Sequence, residues 1–360
     1  MHYRIDRADA VPAYLQLYRA LRTDIVGGVY PYGTRLPSKR TVADEVGVSL
    51  VTVEHAYALL SDEGYIEARE RSGYFVSFRA DDGFASPSDK PSRPVATNHA
   101  AVSPSFPFSV LSRCMRSVLS DYGDAILDMT PTKGSPVLRE AIARYLLRSR
   151  GIKTEPRAIV IGSGAEYLYR LSVELLGRRR VFGIETPSYK KIEAVYAASG
   201  VTYRRLALGS DGIESEALRA TDADVLHISP YRSFPSGVTA SASKKHEYLR
   251  WVRAGDRYII EDDFESEFSV SKKPEDTLYS HEDGDRVIYM NSFSKTVSPA
   301  LRVAYMVLPH HLVSVFEKRL GFYACTVPTF EQLVLASLLN GGDFERHINR
   351  VRRKKRNGEM

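Results

Sequence analysis

The feature that most restricts the fold of this chain is a rhythm. From about residue 106 to residue 345, short apolar runs alternate with amphipathic stretches long enough for helices. The runs are Ile159-Val160-Ile161, Val181-Phe182-Gly183-Ile184, Val225-Leu226-His227-Ile228, Tyr258-Ile259-Ile260 and Val287-Ile288-Tyr289-Met290. Such alternation predicts an α/β domain with a mostly parallel central sheet. At 360 residues the chain also exceeds what one core usually supports, so a second folding unit is expected.

Residues 1–79 supply that unit. Tyr14, Leu17, Tyr18, Leu21 and Ile25 form one helical stripe, stopped by Gly27-Gly28. Ser38, directly after Pro37, is placed to cap a short second helix that turns Val42, Ala43 and Val46 inward and ends at Gly47. A third helix carries Val53, Ala56, Tyr57 and Leu60 on one face and closes at Gly64. Two β-rich runs, Tyr65 to Ala68 and Tyr74 to Ser77, then flank Arg69 to Gly73 as a hairpin. Residues 80–105, with Pro87, Pro91, Pro94 and Pro104 among Ser, Asp and Ala, read as a flexible linker.

Composition narrows the function classes. The longest apolar stretches, such as Val303 to Leu308, are far too short for a bilayer span, and the N-terminus has no apolar signal core. A soluble, cytoplasmic protein with no membrane partner is expected. Cys114 and Cys325 lack zinc-site spacing, so no metal site is expected. The formal charge of +6 permits a polyanionic partner. Its distribution is uneven: residues 1–80 hold ten Lys/Arg and ten Asp/Glu, whereas residues 343–360 hold seven against three.

Helix, helix, Gly-containing turn, helix and wing is the plan of a winged helix-turn-helix. Leu36-Pro37-Ser38-Lys39-Arg40, Gly47-Val48-Ser49, Thr52-Val53, Ala56-Tyr57, Leu60, Glu63-Gly64-Tyr65 and Ser72-Gly73 resemble the GntR-family DNA-binding domain over nearly its whole length. The resemblance implies a double-stranded DNA operator as partner. It implies phosphate contacts from Ser38 and Arg40, a DNA-facing recognition helix carrying Ser49 and Thr52, and a wing brought close to the minor groove by Gly73. Ser38 and Ser49 would also serve as plain helix caps. Leu50 stands where the family usually has an Arg, so a bidentate guanine contact is not expected.

In the second unit, GxxxxGK[ST], HExxH and GxSxG are absent. Gly162-Ser163-Gly164-Ala165 follows a strand, opens a helix and precedes Glu185 at a later strand end, as in a dinucleotide fingerprint. Tyr167 takes the third glycine position and would obstruct close helix-to-strand packing, which favours phosphate binding at a helix N-terminus without a dinucleotide. Lys295, amid the hydroxyls of Asn291-Ser292-Phe293-Ser294-Lys295-Thr296, lies just past a strand and can form a Schiff base. In Glu261-Asp262-Asp263-Phe264, a carboxylate at a strand's C-terminal end can keep a pyridine nitrogen protonated.

Together these resemble the fold-type I, aspartate-aminotransferase-like pyridoxal phosphate domain, a three-layer α/β large domain. Joined to the GntR-type head, the whole resembles the MocR/GabR subfamily of regulators. Lys133-Gly134-Ser135, Glu185-Thr186-Pro187-Ser188-Tyr189 and Phe234-Pro235-Ser236-Gly237 add to the match. The resemblance implies pyridoxal 5'-phosphate as cofactor, with Lys295 as the catalytic Schiff-base lysine, Asp262 on the pyridine nitrogen and Tyr189 stacked on the ring. The phosphate would lie against the backbone of Ala165 and Glu166, with Ser292, Ser294 and Arg302 closing around it. Each residue taken singly is an ordinary surface charge or packing group; their order across separate strand ends makes the assignment.

Departures from the pattern shape the expected function. Phe264 replaces the usual Tyr, Arg232-Ser233 replace His and Gln, and Ala304 replaces Gly. The expected domains are 1–79 for the head, 80–105 for the linker, 106–345 for the large domain and 346–360 for the basic start of a truncated small C-terminal domain. Loss of that domain would remove the Arg that receives a substrate carboxylate, with Lys191 the nearest substitute, so efficient transamination is not expected. The leading expectation is a homodimeric DNA-binding regulator whose effector is an amine, an amino acid or pyridoxal phosphate itself. A pyridoxal phosphate-dependent aminotransferase with a vestigial head, or a non-functional truncated product, are the alternatives.

Overall fold

A computed structural model describes residues 3, 5–6, 9, 11–79, 106–264, 266–269, 276–281 and 285–358. The expected linker, 80–105, lies outside them. The chain divides into two compact units, Met1–Asn98 and His99–Met360.

In the first unit, α1 (Ala13–Val26), α2 (Lys39–Val46) and α3 (Leu50–Asp62) are followed by β1 (Ile66–Arg69) and β2 (Gly73–Val76). Leu17, Leu21, Val42, Val53, Tyr57 and Leu60 close one core with Ile66 and Val76 of the wing. The caps form as expected. Ser38 Oγ accepts from Thr41 N at 3.1 Å, and Ser49 Oγ accepts from Thr52 N at 3.1 Å. Gly47, with φ of 70°, makes the left-handed turn between α2 and α3. The wing hairpin pairs Ile66 with Val76 and Arg69 with Gly73. It also gains a strand-like edge that no local pattern announces, because Leu36 N donates to Tyr74 O and Val76 N donates to Thr34 O, both at 2.9 Å.

The second unit runs α4 (Phe108–Tyr122), α5 (Pro136–Arg150), β3 (Ile159–Gly162), α6 (Ala165–Leu176), β4 (Phe182–Thr186), α7 (Lys190–Ala198), β5 (Tyr203–Gly209), β6 (Gly212–Ile213) and α8 (Ser215–Ala220). It continues with β7 (Val225–Ile228), α9 (Ala242–Arg253), β8 (Tyr258–Asp262), β9 (Val287–Ser292), β10 (Ala304–Val307), α10 (His310–Leu320), α11 (Thr329–Asn340) and α12 (Asp343–Arg356). Eight strands form one sheet in the order β3-β10-β9-β8-β7-β4-β5-β6. β9, β8, β7, β4 and β5 are parallel, while β10 runs antiparallel to both β9 and β3. Alternate residues of the middle strands enter separate cores. Val225, Ile260 and Ile288 join helices α5, α6 and α11, whereas Leu226, Ile259 and Val287 join α8 and α9. The three-layer architecture follows, because a sheet apolar on both faces needs helices on both.

The expected start of a separate domain at residue 346 falls inside α12. Phe344, His347, Ile348 and Val351 of that helix are buried in the large unit's core. Its basic residues Arg346, Arg350, Arg353 and Lys354 remain exposed. The helix is therefore part of the large unit's packing here, held by its apolar stripe.

Candidate functional site

Register across the sheet assembles the site. Ala304 opens β10 and pairs with Gly162 at the end of β3 on one side and with Ser292 at the end of β9 on the other. The loops after β3 and β9 and the residue before β10 therefore emerge side by side. Asp262 ends β8 one strand further on, opposite Met290. This is the carboxyl edge of the parallel strands, the usual ligand-binding edge of such sheets.

A cavity of about 340 Å³ opens there. Its lining includes Ala165, Glu166, Tyr189, Asp262, Ser292, Ser294, Lys295 and Arg302, all eight residues expected around a cofactor. Tyr169, Ser188, Ile192, Ser229, Ser233, Phe234 and Phe264 complete the walls. Ala165 and Glu166 open α6, so their backbone N–H groups lack intrahelical acceptors. Arg302 has a left-handed backbone, φ of 50°, which costs strain in a non-glycine residue. Gly164 makes room for its guanidinium: a Cβ there would lie 2.4 Å from Arg302 Nη2.

Asp262 is buried and held from behind. Tyr169 donates its hydroxyl to Asp262 Oδ2. His227 Nε2 lies 3.6 Å from the same oxygen, and its Nδ1 is 2.6 Å from Tyr196 Oη. Burial, with the Asp262 charge beside it, pushes the Tyr169 phenol well above its ordinary range, so it stays a donor. Neither Tyr169 nor His227 was expected as a site residue, although a His inside the apolar run Val225-Leu226-His227-Ile228 is a signal that could have marked one.

Lys295 Nζ stands 4.4 Å from the centroid of the Phe264 ring, a cation–π distance. Tyr189, just before α7, meets Phe234 edge-on at 6.2 Å. Lys191, the suggested substitute for the carboxylate-binding Arg, pairs with Glu166 Oε1 at 2.8 Å. Tyr167 covers Gly162 so closely that a Cβ on that glycine would lie 2.6 Å from its ring. The dinucleotide reading thus stays closed, and Glu185 turns inward. That carboxylate accepts from Ser233 Oγ at 2.6 Å and Ser229 N at 3.2 Å.

Burial raises the Glu185 carboxyl to about 7, against the opposing pull of those two donors. Its neutral form is favoured by the fold, so its contribution to stability is complete below its ordinary value near 4.5 and fades as pH rises through 7. Glu185→Gln should match wild type at pH 4 and exceed it by up to about 3 kcal/mol at pH 8, read from urea unfolding. A pH-independent difference would refute this.

In the first unit, Ser38, Arg40 and Ser49 are exposed, and Thr52 is half-buried with its hydroxyl 2.8 Å from Ser49 Oγ. Gly73, φ of 102°, opens β2 beside the Arg35 guanidinium. Leu50 is 40% exposed on the first turn of α3, an apolar group at a solvent face. Among the described residues no cluster suits a metal, and no helix is long and apolar enough to cross a membrane.

A winged helix-turn-helix unit together with an aminotransferase-type large unit defines a class of transcription regulators. Residues 13–76 match the family of bacterial regulatory proteins of the gntR type, and residues 111–358 match the aminotransferase class I and II family. The chain belongs to the MocR/GabR subfamily of GntR-family DNA-binding transcriptional regulators. It is 31% identical to the uncharacterized HTH-type transcriptional regulator YdeL of Bacillus subtilis, over 98% of this chain and 79% of that protein. It is 28% identical to the probable rhizopine catabolism regulatory protein MocR of Rhizobium meliloti, over 97% and 76%. The fold is similar to Pyrococcus horikoshii kynurenine aminotransferase, solved with PMP, with a TM-score of 0.63 and 25% identity. That likeness covers 70% of this chain but only 65% of the enzyme.

Proposed function

We propose that the large unit is a pyridoxal 5'-phosphate-dependent sensor that controls DNA binding by the head. The observation that carries this is the convergence of Lys295, Asp262, Tyr189, Arg302 and the start of α6 on one cavity. The donor set suits the cofactor: an amine for its aldehyde, a carboxylate for its ring nitrogen, an aromatic face for its ring, and a helix N-terminus with an Arg for its phosphate. When bound, the cofactor would supply a carbonyl that exchanges the protein's amine for that of a small ligand.

The chain's own residues would do the rest. Tyr169 holds Asp262 by its hydrogen bond, Tyr189 would cover one side of the ring, and Arg302 would position the phosphate. Among the described residues, the cations that line the cavity are Lys295 and Arg302. In the head, Ser38, Arg40, Ser49, Thr52 and Gly73 would meet a double-stranded operator, and the regulator would act in the cytoplasm as a homodimer.

The test selects bound fragments from a random DNA pool with the full-length protein, then measures affinity with pyridoxal phosphate and a panel of amines and amino acids. A selected site whose affinity changes at least fivefold with one of these compounds, and which Arg40→Ala and Thr52→Ala weaken, is expected. Operator affinity indifferent to every compound refutes the sensor. Sustained amino-group transfer to a keto acid would make the large unit an enzyme instead.

A further inference from the structure

The cavity contains its own anion. Glu166, in the first turn of α6, extends its carboxylate between two cations: Oε2 accepts from Arg302 Nη2 at 2.7 Å and Oε1 accepts from Lys191 Nζ at 2.8 Å. Burial works against the charge of this carboxyl, but the hydrogen bonds from Lys191 and Arg302 outweigh it and hold the group down to about 2. It is ionised throughout the working pH range. Arg302 meanwhile rests over Gly164, immediately before the first N–H groups of α6, and the Glu166 N–H bonds the same carboxylate. A guanidinium, an ammonium and a helix N-terminus all face one point, and a glutamate side chain neutralises both cations there.

We propose that Glu166 is an intramolecular competitor for the phosphate subsite. A phosphate monoester entering the cavity must take Arg302 from Glu166, and the displaced carboxylate must turn away from the incoming dianion or repel it. This inference rests on the cofactor reading for the identity of the natural ligand, but concerns the anion subsite alone. Its consequence is weak, readily reversible retention of the phosphate. A sensor that samples the concentration of its ligand needs such reversibility, whereas an enzyme that keeps its cofactor does not. The competitor is a side chain, so it acts without any change of fold.

Two probes, inorganic phosphate and pyridoxal phosphate, are titrated calorimetrically into the full chain and into Glu166→Gln and Glu166→Ala. Two variants are used because Gln keeps the shape and Ala removes it, and melting curves report the fold of each. Both variants are expected to bind inorganic phosphate at least tenfold tighter than wild type, and Arg302→Gln is expected to erase the gain when combined with either. Phosphate affinity unchanged or reduced in both overturns the proposal, even if wild type takes up pyridoxal phosphate. If the variants gain phosphate affinity while no form attaches pyridoxal phosphate, the competitor stands and the cofactor reading falls.

Discussion

Lys295→Ala is expected to carry no pyridoxyl group after incubation with pyridoxal phosphate and borohydride reduction, whereas wild type develops a chromophore that reduction fixes to the chain at Lys295. A covalent anchor needs an amine within bonding reach of the aldehyde, and among the described residues that line the cavity the lysine is Lys295. Lys191 points to Glu166 and stands 5.8 Å from the Tyr189 ring centroid. Loss of the anchor leaves Asp262, Tyr189 and Arg302 in place, so residual noncovalent binding is compatible with the assignment. A wild-type level of borohydride-fixed pyridoxyl group in Lys295→Ala is not. Thermal stability of the ligand-free protein should change little, because Lys295 lies partly exposed at the end of β9.

Arg150→Ala should have the largest effect on folding, about 3–5 kcal/mol for the unfolding transition of the large unit. Arg150 ends α5 with its side chain 3% exposed, and its Nε lies 3.3 Å from Asp263 Oδ2, whose side chain is 6% exposed. Tyr289 donates to the same oxygen at 2.7 Å. Asn291 Nδ2 donates to the buried Glu267 at 2.6 Å, and Arg352 Nε of α12 donates to Glu267 O at 2.7 Å. One cation thus serves two buried carboxyls. Burial disfavours its charge, yet the attraction of Asp263 prevails and raises its affinity for the proton. Without it, Asp263 and Glu267 are left together away from water, which is costlier than never having buried the pair.

That network also sets the sign of the pH response. Burial raises the Glu267 carboxyl to about 7 and Arg150 opposes that rise, so in Arg150→Ala protonation of Glu267 relieves the penalty and the deficit relative to wild type should shrink as pH falls from 8 to 5. Urea unfolding of both proteins at the two pH values measures this. A deficit below about 1 kcal/mol would show that the network relaxes or hydrates on loss of the cation.

The head was almost wholly legible because its determinants are local. Ser38 and Ser49 cap within three residues of themselves, Gly47 turns the chain at its own backbone, and Leu17, Leu21 and Ile25 recur on one helical face. In the large unit, β7, β8 and β9 were visible as apolar runs because both of their faces are covered. β5 was not, since this strand near the sheet edge carries Arg204 and Arg205 to the surface, where Asp222 and Glu193 pair with them. β10 was noticed as the stretch from Val303 to Leu308 without being placed in the sheet. Its antiparallel insertion between β3 and β9 depends on partners more than a hundred residues away in the case of β3.

The amino-acid sequence by itself determined the two units, the wing, the candidacy of Lys295, Asp262 and Arg302 for one site, and the absence of the common nucleotide, zinc and serine-hydrolase motifs. Only the tertiary structure decided what those residues do to one another. The row Gly162, Ala304 and Ser292 sets Arg302 beside α6, and the same closeness lets Glu166 claim it. Periodicity and capping are written in neighbouring residues, so they can be read directly. Strand register and charge pairing arise when distant segments share one low-dielectric space, and their strength depends on distances that no local pattern contains.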